Sequence, residues 1–378
     1  DTVLADASEW TRDPWSGDVV DGCVWGRGSL DMKSQVAAEV AAVARLAREG
    51  WRPARGQLLV VAVADEETGG ELGAKWLCET HPEKVRCDML LNEGGGPFFE
   101  IDGQRFYGVC CAEKGVFRFT LTTDGAAGHA SMPKLGENAL LKMAPVLERF
   151  AERQPALQPT AEPLAFLRGV GEDESDPHGA LARLEKADPR LLQMLEPMFG
   201  VTFAPTKISA SEKINVIPSR AELRVDCRVP PGLGEQEARH AIEQVLGGVE
   251  GLALEFEEAP LGASGGSRSS DALRIEFTER VIGNRSPMES SLMDTIDRWI
   301  AERDPGAKIV PTILPGFTDS RHFRAAFPEC VAYGFFPQRH QSLLQTQALI
   351  HAPDERIDAR DLAWAAEFYR DIAVELLA

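Results

Sequence analysis

Residues 57–70 read QLLVVAVADEETGG, a short run rich in leucine and valine followed by three acidic residues and, after a threonine, two glycines. Apolar runs this short are typical of strands buried in an α/β sheet. Glu66 and Glu67 then stand side by side at the end of the predicted strand, where two like charges cost free energy unless a cation compensates them. The stretch therefore predicts a sheet whose edge carries a cation site.

Short apolar runs and helical patterns alternate in the same way at both ends of the chain. The runs predict strands at 88–91, 308–314 and 330–334. The helical patterns predict a helix over 34–48 and a final helix capped by Asp358 that continues to about residue 377. Together they indicate one α/β domain built from both ends of the chain.

The middle of the chain has a different pattern. Strand, helix, strand, helix and strand follow one another at 115–123, 138–153, 221–229, 235–246 and 252–257. This order predicts a small α+β domain, 113–285, inserted into a first domain that consists of 1–112 and 286–378. Within the insertion, we interpret the Pro-, Asp- and Glu-rich residues 155–205 as an embellishment and GASGGS at 262–267 as a flexible loop.

The charge balance argues against two classes of partner. The 378 residues include 40 Lys and Arg against 59 Asp and Glu, which gives a net charge of −19. Such a field repels phosphate backbones and anionic lipid surfaces, so we expect neither nucleic acid nor a membrane as a partner. No apolar run approaches the ~20 residues that span a bilayer.

Cysteine usage and the first residues bear on the location of the protein. The seven cysteines include no CxxC pair, which is typical of thiols in a reducing compartment, so we expect a cytoplasmic protein. The sequence DTVLAD at 1–6 contains neither an initiator Met nor a signal peptide, and the chain looks cut at its start.

Carboxylates and one late histidine follow the predicted strands. They are Asp31 in GRGSLDMK (26–33), Glu66 and Glu67 in DEETGG (65–70), Glu93 in NEGGG (92–96) and His351 in HAPDER (351–356). Because the carboxyl ends of α/β strands meet at one crevice, these side chains are expected to converge. Each of them alone is more often a turn former, a helix cap or a structural histidine. As a set they suit zinc, with cobalt or manganese as alternatives and calcium disfavoured.

These segments resemble the zinc-dependent exopeptidase and deacylase superfamily, which includes aminoacylase, acetylornithine deacetylase, succinyl-diaminopimelate desuccinylase and glutamate carboxypeptidase. The resemblance covers nearly the whole chain. Its ordered motifs are GRGSLDMK, DEETGGELGA, NEGGG, GHASMP (128–133), NVIP (215–218) and HAPDERI (351–357). It implies an α/β catalytic domain with a mixed, zinc-exopeptidase-like sheet, and makes the insertion a ferredoxin-like α+β domain that serves as lid and dimerisation domain.

The resemblance also implies a set of roles. Asp31 bridges two zinc ions. Glu67 and His351 complete the site of one ion, and Glu93 belongs to the site of the other. Glu66 is then the general base, because it stands beside the metals without binding them and can move a proton from water to the leaving amine. The resemblance further implies a cis peptide bond between Asp31 and Met32.

In the insertion, His129 is similar to the family's lid histidine, which reaches across a homodimer to the substrate carbonyl and donates to its oxyanion. Asn215 and Arg228 match the pair that holds the substrate's carboxylate. Gly334 and the 315–321 loop resemble cavity-lining segments. Without the family, His129, Asn215 and Arg228 read as a capping histidine, a turn asparagine and a solvated arginine.

The first metal motif departs from the family pattern, which is His, any residue, Asp, then Thr-Val or Val-Val. Asp1-Thr2-Val3 supplies everything except the histidine, which would fall two positions before Asp1. Asp1 is then the carboxylate that orients that ligand. Ser34, where the family usually has glycine, is a milder departure.

Three hypotheses follow for the function. The first is a di-zinc amidohydrolase that cleaves an amide or peptide bond in N-acyl amino acids or small peptides. The second is a catalytically inactive peptide-binding or regulatory relative. The third is a metal-dependent enzyme of another reaction class on a related scaffold. Retention of Glu66 favours the first, because a protein that only binds metal or peptide has no need of a general base.

Overall fold

The computed structural model describes residues 1–257 and 271–378. The segment 262–267, predicted as a flexible loop, lies outside the described residues. The chain divides into two compact units. The first consists of Asp1–Glu113, Ala161–Glu196 and Asn284–Ala378, and the second of Lys114–Thr160 and Pro197–Gly283.

The α-helices of the described residues are α1 (Lys33–Arg48), α2 (Trp76–Thr80), α3 (Pro82–Val85), α4 (Ala139–Lys142), α5 (Ala144–Glu152), α6 (Ala161–Val170), α7 (Pro177–Ala187), α8 (Pro189–Leu195), α9 (Glu235–Leu246), α10 (Ser291–Arg303), α11 (Ser320–Ala326), α12 (Leu343–Gln347) and α13 (Ala359–Leu376). The strands are β1 (Val19–Val20), β2 (Cys23–Trp25), β3 (Met89–Asn92), β4 (Pro97–Ile101), β5 (Gln104–Glu113), β6 (Gly115–Val116), β7 (Phe119–Asp124), β8 (Gly128–His129), β9 (Thr202–Ser209), β10 (Val216–Ile217), β11 (Arg220–Val229), β12 (Ala253–Phe256), β13 (Ala272–Phe277), β14 (Asn284–Arg285), β15 (Lys308–Leu314), β16 (Val331–Gly334), β17 (Gln338–Ser342) and β18 (Arg356–Asp358).

The first unit is built on a mixed sheet in the strand order β17-β4-β5-β16-β3, with β14 and β15 also paired with β5. β15 runs parallel to β5 and β3 runs parallel to β16, whereas β4 is antiparallel to β5. The predicted strands at 88–91, 308–314 and 330–334 correspond to β3, β15 and β16. These three strand predictions are therefore confirmed.

Two of the predicted helices frame this sheet. α1 contacts α13, and α13 also contacts α10 and β17. The Asp358 side chain accepts a hydrogen bond from the Arg360 N–H at 2.8 Å, as a helix-capping residue does. Phe368, fully buried on α13, packs edge-on against Trp299 and Phe335, so an aromatic cluster fixes the helix to the core.

The predicted strand at 57–64 is wrong. The structure gives these residues no strand pairing, and Leu58, Leu59, Val60 and Val61 are each 37–41% exposed. Among the described residues, no neighbouring backbone forms a ladder with this run. The leucine and valine content of 57–64 is typical of a buried strand. A strand also needs a second strand to pair with, and composition does not show whether one is present.

The segment 155–205 differs from its interpretation as an embellishment of the insertion. Ala161–Glu196 forms α6, α7 and α8 and belongs to the first unit. α6 packs against β15 and β5, and its Phe166 stacks on Phe99 of β4. The apolar face of α6 is buried on the mixed sheet, a contact that the segment's overall Pro, Asp and Glu content conceals.

The second unit is an α+β structure. Its sheet has the order β12-β13-β7-β11-β6, with β9 also paired with β11. α5 and α9 contact each other, α5 contacts β9, and α9 contacts β11. The predicted strands 221–229 and 252–257 and the helix 235–246 correspond to β11, β12 and α9, and are confirmed.

Two predicted elements of the second unit are each divided in two. The strand predicted at 115–123 is β6 and β7, and the helix predicted at 138–153 is α4 and α5 with a break at Met143. Pro145 lies in the first turn of α5, where its missing N–H breaks no helical hydrogen bond, so a helix starts readily at this point.

None of the helices in the described ranges combines the length and the apolar character needed to cross a lipid bilayer.

Candidate metal centre

Asp31 ends the turn that connects β2 to α1. The peptide bond between Asp31 and Met32 is cis, so this prediction from the resemblance is confirmed. The backbone N–H of Asp31 donates to the Glu355 carboxylate at 3.0 Å. The turn is therefore fixed from outside, and its carboxylate is free to face the other ligands.

Glu66 and Glu67 lie in a single 3₁₀ turn, Glu66–Thr68, immediately after the extended run. The turn is bounded by two residues with positive φ, Asp65 at 75° and Gly69 at 114°. The Val3 N–H donates to Oε1 of Glu67 at 3.2 Å, which leaves Oε2 available to another partner.

His351 also adopts a positive φ, 63°, in the loop between α12 and β18. Its Nε2 lies 3.0 Å from Oδ2 of Asp31 and 3.5 Å from Oε2 of Glu67. One ligand atom from each of these three residues lies within 4.8 Å of the other two. The His351 side chain is 53% exposed, so the cluster opens towards solvent and a substrate can reach it.

Glu93 follows β3 and is half-buried. Burial, followed by repulsion from Glu66 and Asp31, holds the pKa of Glu93 well above its usual range. Its side chain also forms a hydrogen bond with that of Asp31. Asp31 therefore contacts His351 on one hand and Glu93 on the other, as a ligand shared by two metal positions would.

Gly334 supports the backbone at Glu93. A Cβ atom at this position would lie 1.9 Å from the Glu93 carbonyl oxygen, so only glycine permits β16 to approach so closely. The structure thus gives Gly334 a packing role beside a ligand, while its predicted contact with substrate stays a prediction.

The pKa of Glu66 is strongly raised by its surroundings. Burial raises its pKa to about 8, with further contributions from the carboxylates of Asp319 and Glu67. Burial also raises the pKa of Asp319 to about 6 and that of Glu67 above its usual range. The carboxylates at this place therefore repel one another when they are ionised. A bound dication would compensate their negative charge.

One cavity of about 950 Å³ connects these groups. The acidic residues that line it are Asp1, Asp31, Glu39, Glu66, Glu67, Asp88, Glu93 and Asp319. Apolar residues of the 57–63 run form another part of the lining. The expected convergence of the carboxylate segments is therefore found, and Asp1 lies at the same cavity.

The ligand spacing fits zinc. A tetrahedral zinc ion with bonds of ~2.0–2.2 Å separates its ligand atoms by roughly 3.3–3.6 Å. Nε2 of His351 lies 3.0 Å from the Asp31 oxygen and 3.5 Å from the Glu67 oxygen, so only a small adjustment is needed to reach that range. Two carboxylates and one imidazole also form the three-ligand set that leaves a catalytic zinc one open position.

The predicted lid residues lie in the second unit. β8 and β10 form a two-stranded ribbon in which His129 pairs with Val216, and the Ala130 N–H donates to the Asn215 carbonyl at 3.1 Å. Both His129 and Asn215 are exposed. The ring of His129 is held by Ser131, whose hydroxyl lies 2.8 Å from Nδ1. His129 and Asn215 are therefore neighbours, as two residues of one binding surface would be.

Arg228 has an internal partner. Its Nε donates to Asp226 at 2.6 Å, and a second nitrogen donates to the other Asp226 oxygen at 3.2 Å. Asp226 also accepts from Arg118 at 2.8 Å. The reading of Arg228 as a freely solvated arginine is wrong, because this bidentate pair holds its guanidinium. Its binding of a substrate carboxylate stays a prediction.

Sequence reasoning missed several groups around the site. Asp319, in a loop noted only as cavity-lining, faces Glu66, and buried Glu113 accepts from Thr318 in the same loop at 2.6 Å. The buried pair of Arg27 and Glu355 was also missed. Both partners of that pair lie inside quoted motifs, GRGSLDMK and HAPDER, but nothing in one sequence shows that the two motifs meet.

The fold and the cluster together define a class: a metal-dependent hydrolase with its ligands at the edge of a mixed α/β sheet. A family model described as peptidase family M20/M25/M40 matches residues 1–375, and the chain belongs to this family. The recognition made from the motifs is thereby confirmed. Peptidases and desuccinylases of this family are metal-dependent hydrolases.

Three comparisons illustrate the similarity. The chain is 26% identical to a probable carboxypeptidase S-like 2 of Dictyostelium discoideum, over 96% of this chain and 67% of the relative. It is 27% identical to the N-fatty-acyl-amino acid synthase/hydrolase PM20D1 of Xenopus tropicalis, over 98% of this chain and 69% of the relative. The crystal structure of human carnosine dipeptidase 1 superimposes with a TM-score of 0.63 at 13% identity, covering 100% of this chain and 78% of that one, which supports the fold.

The adjacent glutamates give the first testable prediction. Glu66→Gln should lower kcat by ~10²-fold or more and leave zinc content unchanged, because a general base moves a proton without binding the metal. Glu67→Gln, the same substitution one residue later, should weaken zinc binding by at least ~10-fold. Zinc stoichiometry after gel filtration, measured beside turnover, separates the two effects. Equal loss of zinc from both variants would contradict the division of roles.

Proposed function

We propose that the protein is a zinc-dependent amidohydrolase that releases a free amine from N-acyl amino acids or small peptides. The observation that carries the proposal is the cluster of Asp31, Glu67 and His351, whose ligand atoms converge within 4.8 Å beside the half-buried carboxyls of Glu66 and Glu93. The substrate class is taken from the similar proteins, which are a probable carboxypeptidase, an N-fatty-acyl-amino acid synthase/hydrolase and a dipeptidase.

The proposed ligand roles follow from the contacts of Asp31. Glu67 and His351 would hold one zinc ion together with Asp31, and Glu93 would hold a second with the same Asp31. Cobalt or manganese could replace zinc on this ligand set. When bound, zinc lowers the pKa of a water molecule and polarises an amide carbonyl.

Glu66 would accept a proton from the attacking water molecule and pass it to the leaving amine. Its elevated pKa, about 8, arises from burial and from neighbouring carboxylates, and compensation of those charges by a dication would lower it. A carboxyl poised in this way can accept a proton near neutral pH and deliver it to a leaving amine. An inactive binding relative would gain nothing from a buried, unpaired glutamate at this position, since such a group costs stability.

Substrate recognition would use the second unit. We propose that His129 donates to the developing oxyanion, and that Asn215 and Arg228 bind the carboxylate of the acyl amino acid. The adjacency of His129 and Asn215 on the β8–β10 ribbon supports this assignment. We further propose a homodimer in which the lid histidine serves the partner's site, and a cytoplasmic location, which the seven free cysteines fit.

The substrate class is tested by amine release from N-acyl amino acids and dipeptides, with zinc or with a chelator. We expect turnover that the chelator abolishes. The methyl ester of the best acyl amino acid is the matched control, because loss of the carboxylate should lower kcat/KM by roughly 10- to 100-fold. Tight binding of the acyl amino acid without amine release would instead identify an inactive relative.

The dimer is tested by mixing two inactive chains. His129→Ala mixed with Glu66→Ala should regain roughly a quarter of the wild-type activity, because half of randomly paired dimers are heterodimers and one of their two sites is intact. Glu66→Ala mixed with Glu67→Ala is the control, since both of its defects fall in the same site. If proven heterodimers of the first mixture stay inactive, His129 does not act across the dimer.

A further inference from the structure

The loops that carry Asp31 and His351 meet at one buried ion pair. Arg27 donates to Oε2 of Glu355 at 2.6 Å, and the two side chains are 3% and 0% exposed. Arg27 precedes Asp31 by four residues, and Glu355 follows His351 by four. The antiparallel pairing of β2 with β18, with Trp25 opposite Arg356, brings the two loops together. The pair therefore lies between two candidate ligands that are 320 positions apart in the sequence.

The Glu355 carboxylate is saturated by donors from the Asp31 turn. Oε2 accepts from Arg27 and from the Gly28 N–H at 3.1 Å, and Oε1 accepts from the N–H groups of Leu30 at 2.7 Å and Asp31 at 3.0 Å. Three of the four donors are thus backbone N–H groups of the turn that ends in the candidate ligand Asp31. A carboxylate with four donors is a rigid template for the backbone around it, since each charge-assisted bond fixes one N–H direction.

Arg27 extends the same connection to the other loop. Its second terminal nitrogen donates to the His351 carbonyl at 3.3 Å, and the Gly26 N–H donates to the Glu355 carbonyl at 2.9 Å. His351 has a positive φ, which a non-glycine residue adopts when its surroundings enforce it. Arg27 holds the carbonyl group of this residue through that hydrogen bond.

We propose that Glu355, through Arg27, is a positioning residue that sets the separation of Asp31 and His351 for metal binding. The proposal rests on the assignment of Asp31 and His351 as ligands under the proposed function. Glu355 does not itself face the cavity, so it acts on the metal only through the backbone of the two loops. Carboxylates that orient metal ligands in this way commonly change metal affinity by ~10–100-fold when they are removed.

The alternative role for Glu355 is fold stability alone, and the chain offers a matched control. Asp361 is likewise 0% exposed and accepts from three successive backbone N–H groups, those of Arg339, His340 and Gln341, at 2.7–2.9 Å. It belongs to the same unit but its donors carry no candidate ligand. Loss of either carboxylate charge should therefore destabilise the fold, whereas only Glu355 should affect the metal.

The test compares Glu355→Gln with Asp361→Asn in the full chain. Zinc affinity is measured by competition with a chelator, cobalt coordination by its visible absorption, and stability by urea unfolding. We expect both variants to unfold at lower urea concentration. Glu355→Gln should raise the zinc Kd by ~10–100-fold and alter the cobalt spectrum, whereas Asp361→Asn should change neither. A wild-type Kd and spectrum in folded Glu355→Gln would overturn the proposal.

Two further variants make the outcome decisive. Arg27→Lys keeps the charge beside Glu355 but is too short and too simple in shape to bridge to the His351 carbonyl. It should raise the zinc Kd severalfold, and if Glu355→Gln does not fold, an unchanged Kd in Arg27→Lys overturns the proposal. Asp31→Asn tests the ligand assignment itself: if it binds zinc like the wild type, the proposed metal site fails. If Asp31→Asn loses zinc while the Glu355 and Arg27 variants keep it, only the positioning role fails.

Discussion

Mutual repulsion among buried carboxylates is the constraint on which this structure depends. Asp31, Glu66, Glu67 and Glu93 line one cavity, and burial together with their neighbours' charges raises the pKa of the last three. Such a group of acids is unfavourable in a folded protein unless cations compensate it. The repulsion arises because the sheet, the turn that ends at Asp31 and the His351 loop all place candidate metal ligands at that cavity.

The candidate ligands could be named from the sequence because each of them lies in a short motif at the end of a predicted element. Asp31, Glu67, Glu93 and His351 each follow or precede a predicted element, and the carboxyl ends of α/β strands share one edge. The absence of a strand at 57–64 was not predictable in the same way. The leucine and valine content of this run is typical of a strand, yet Leu58 to Val61 are exposed. Strand formation also depends on a second strand elsewhere in the chain, which local composition does not show.

Long-range contacts account for the other differences. The helix α6 packs on β15, about 140 positions away, so the placement of 161–196 in the first unit depends on a contact that local composition does not contain. For the same reason, the sequence did not identify three features of the site, namely Asp319, Glu113 and the pair of Arg27 and Glu355. A buried carboxylate is conspicuous in a structure and ordinary in a sequence, where most Asp and Glu lie on the surface. The motifs that contain Arg27 and Glu355 were both visible, but one sequence does not show that they meet.

Anomalous diffraction at the zinc edge from crystals of the zinc-loaded protein tests the central claim most directly. The account predicts a zinc within ~2.0–2.2 Å of Asp31, Glu67 and His351, the position with three protein ligands, and Glu66 unligated beside it. Zinc bound by Glu66, or zinc located away from Asp31 and His351, would contradict the account.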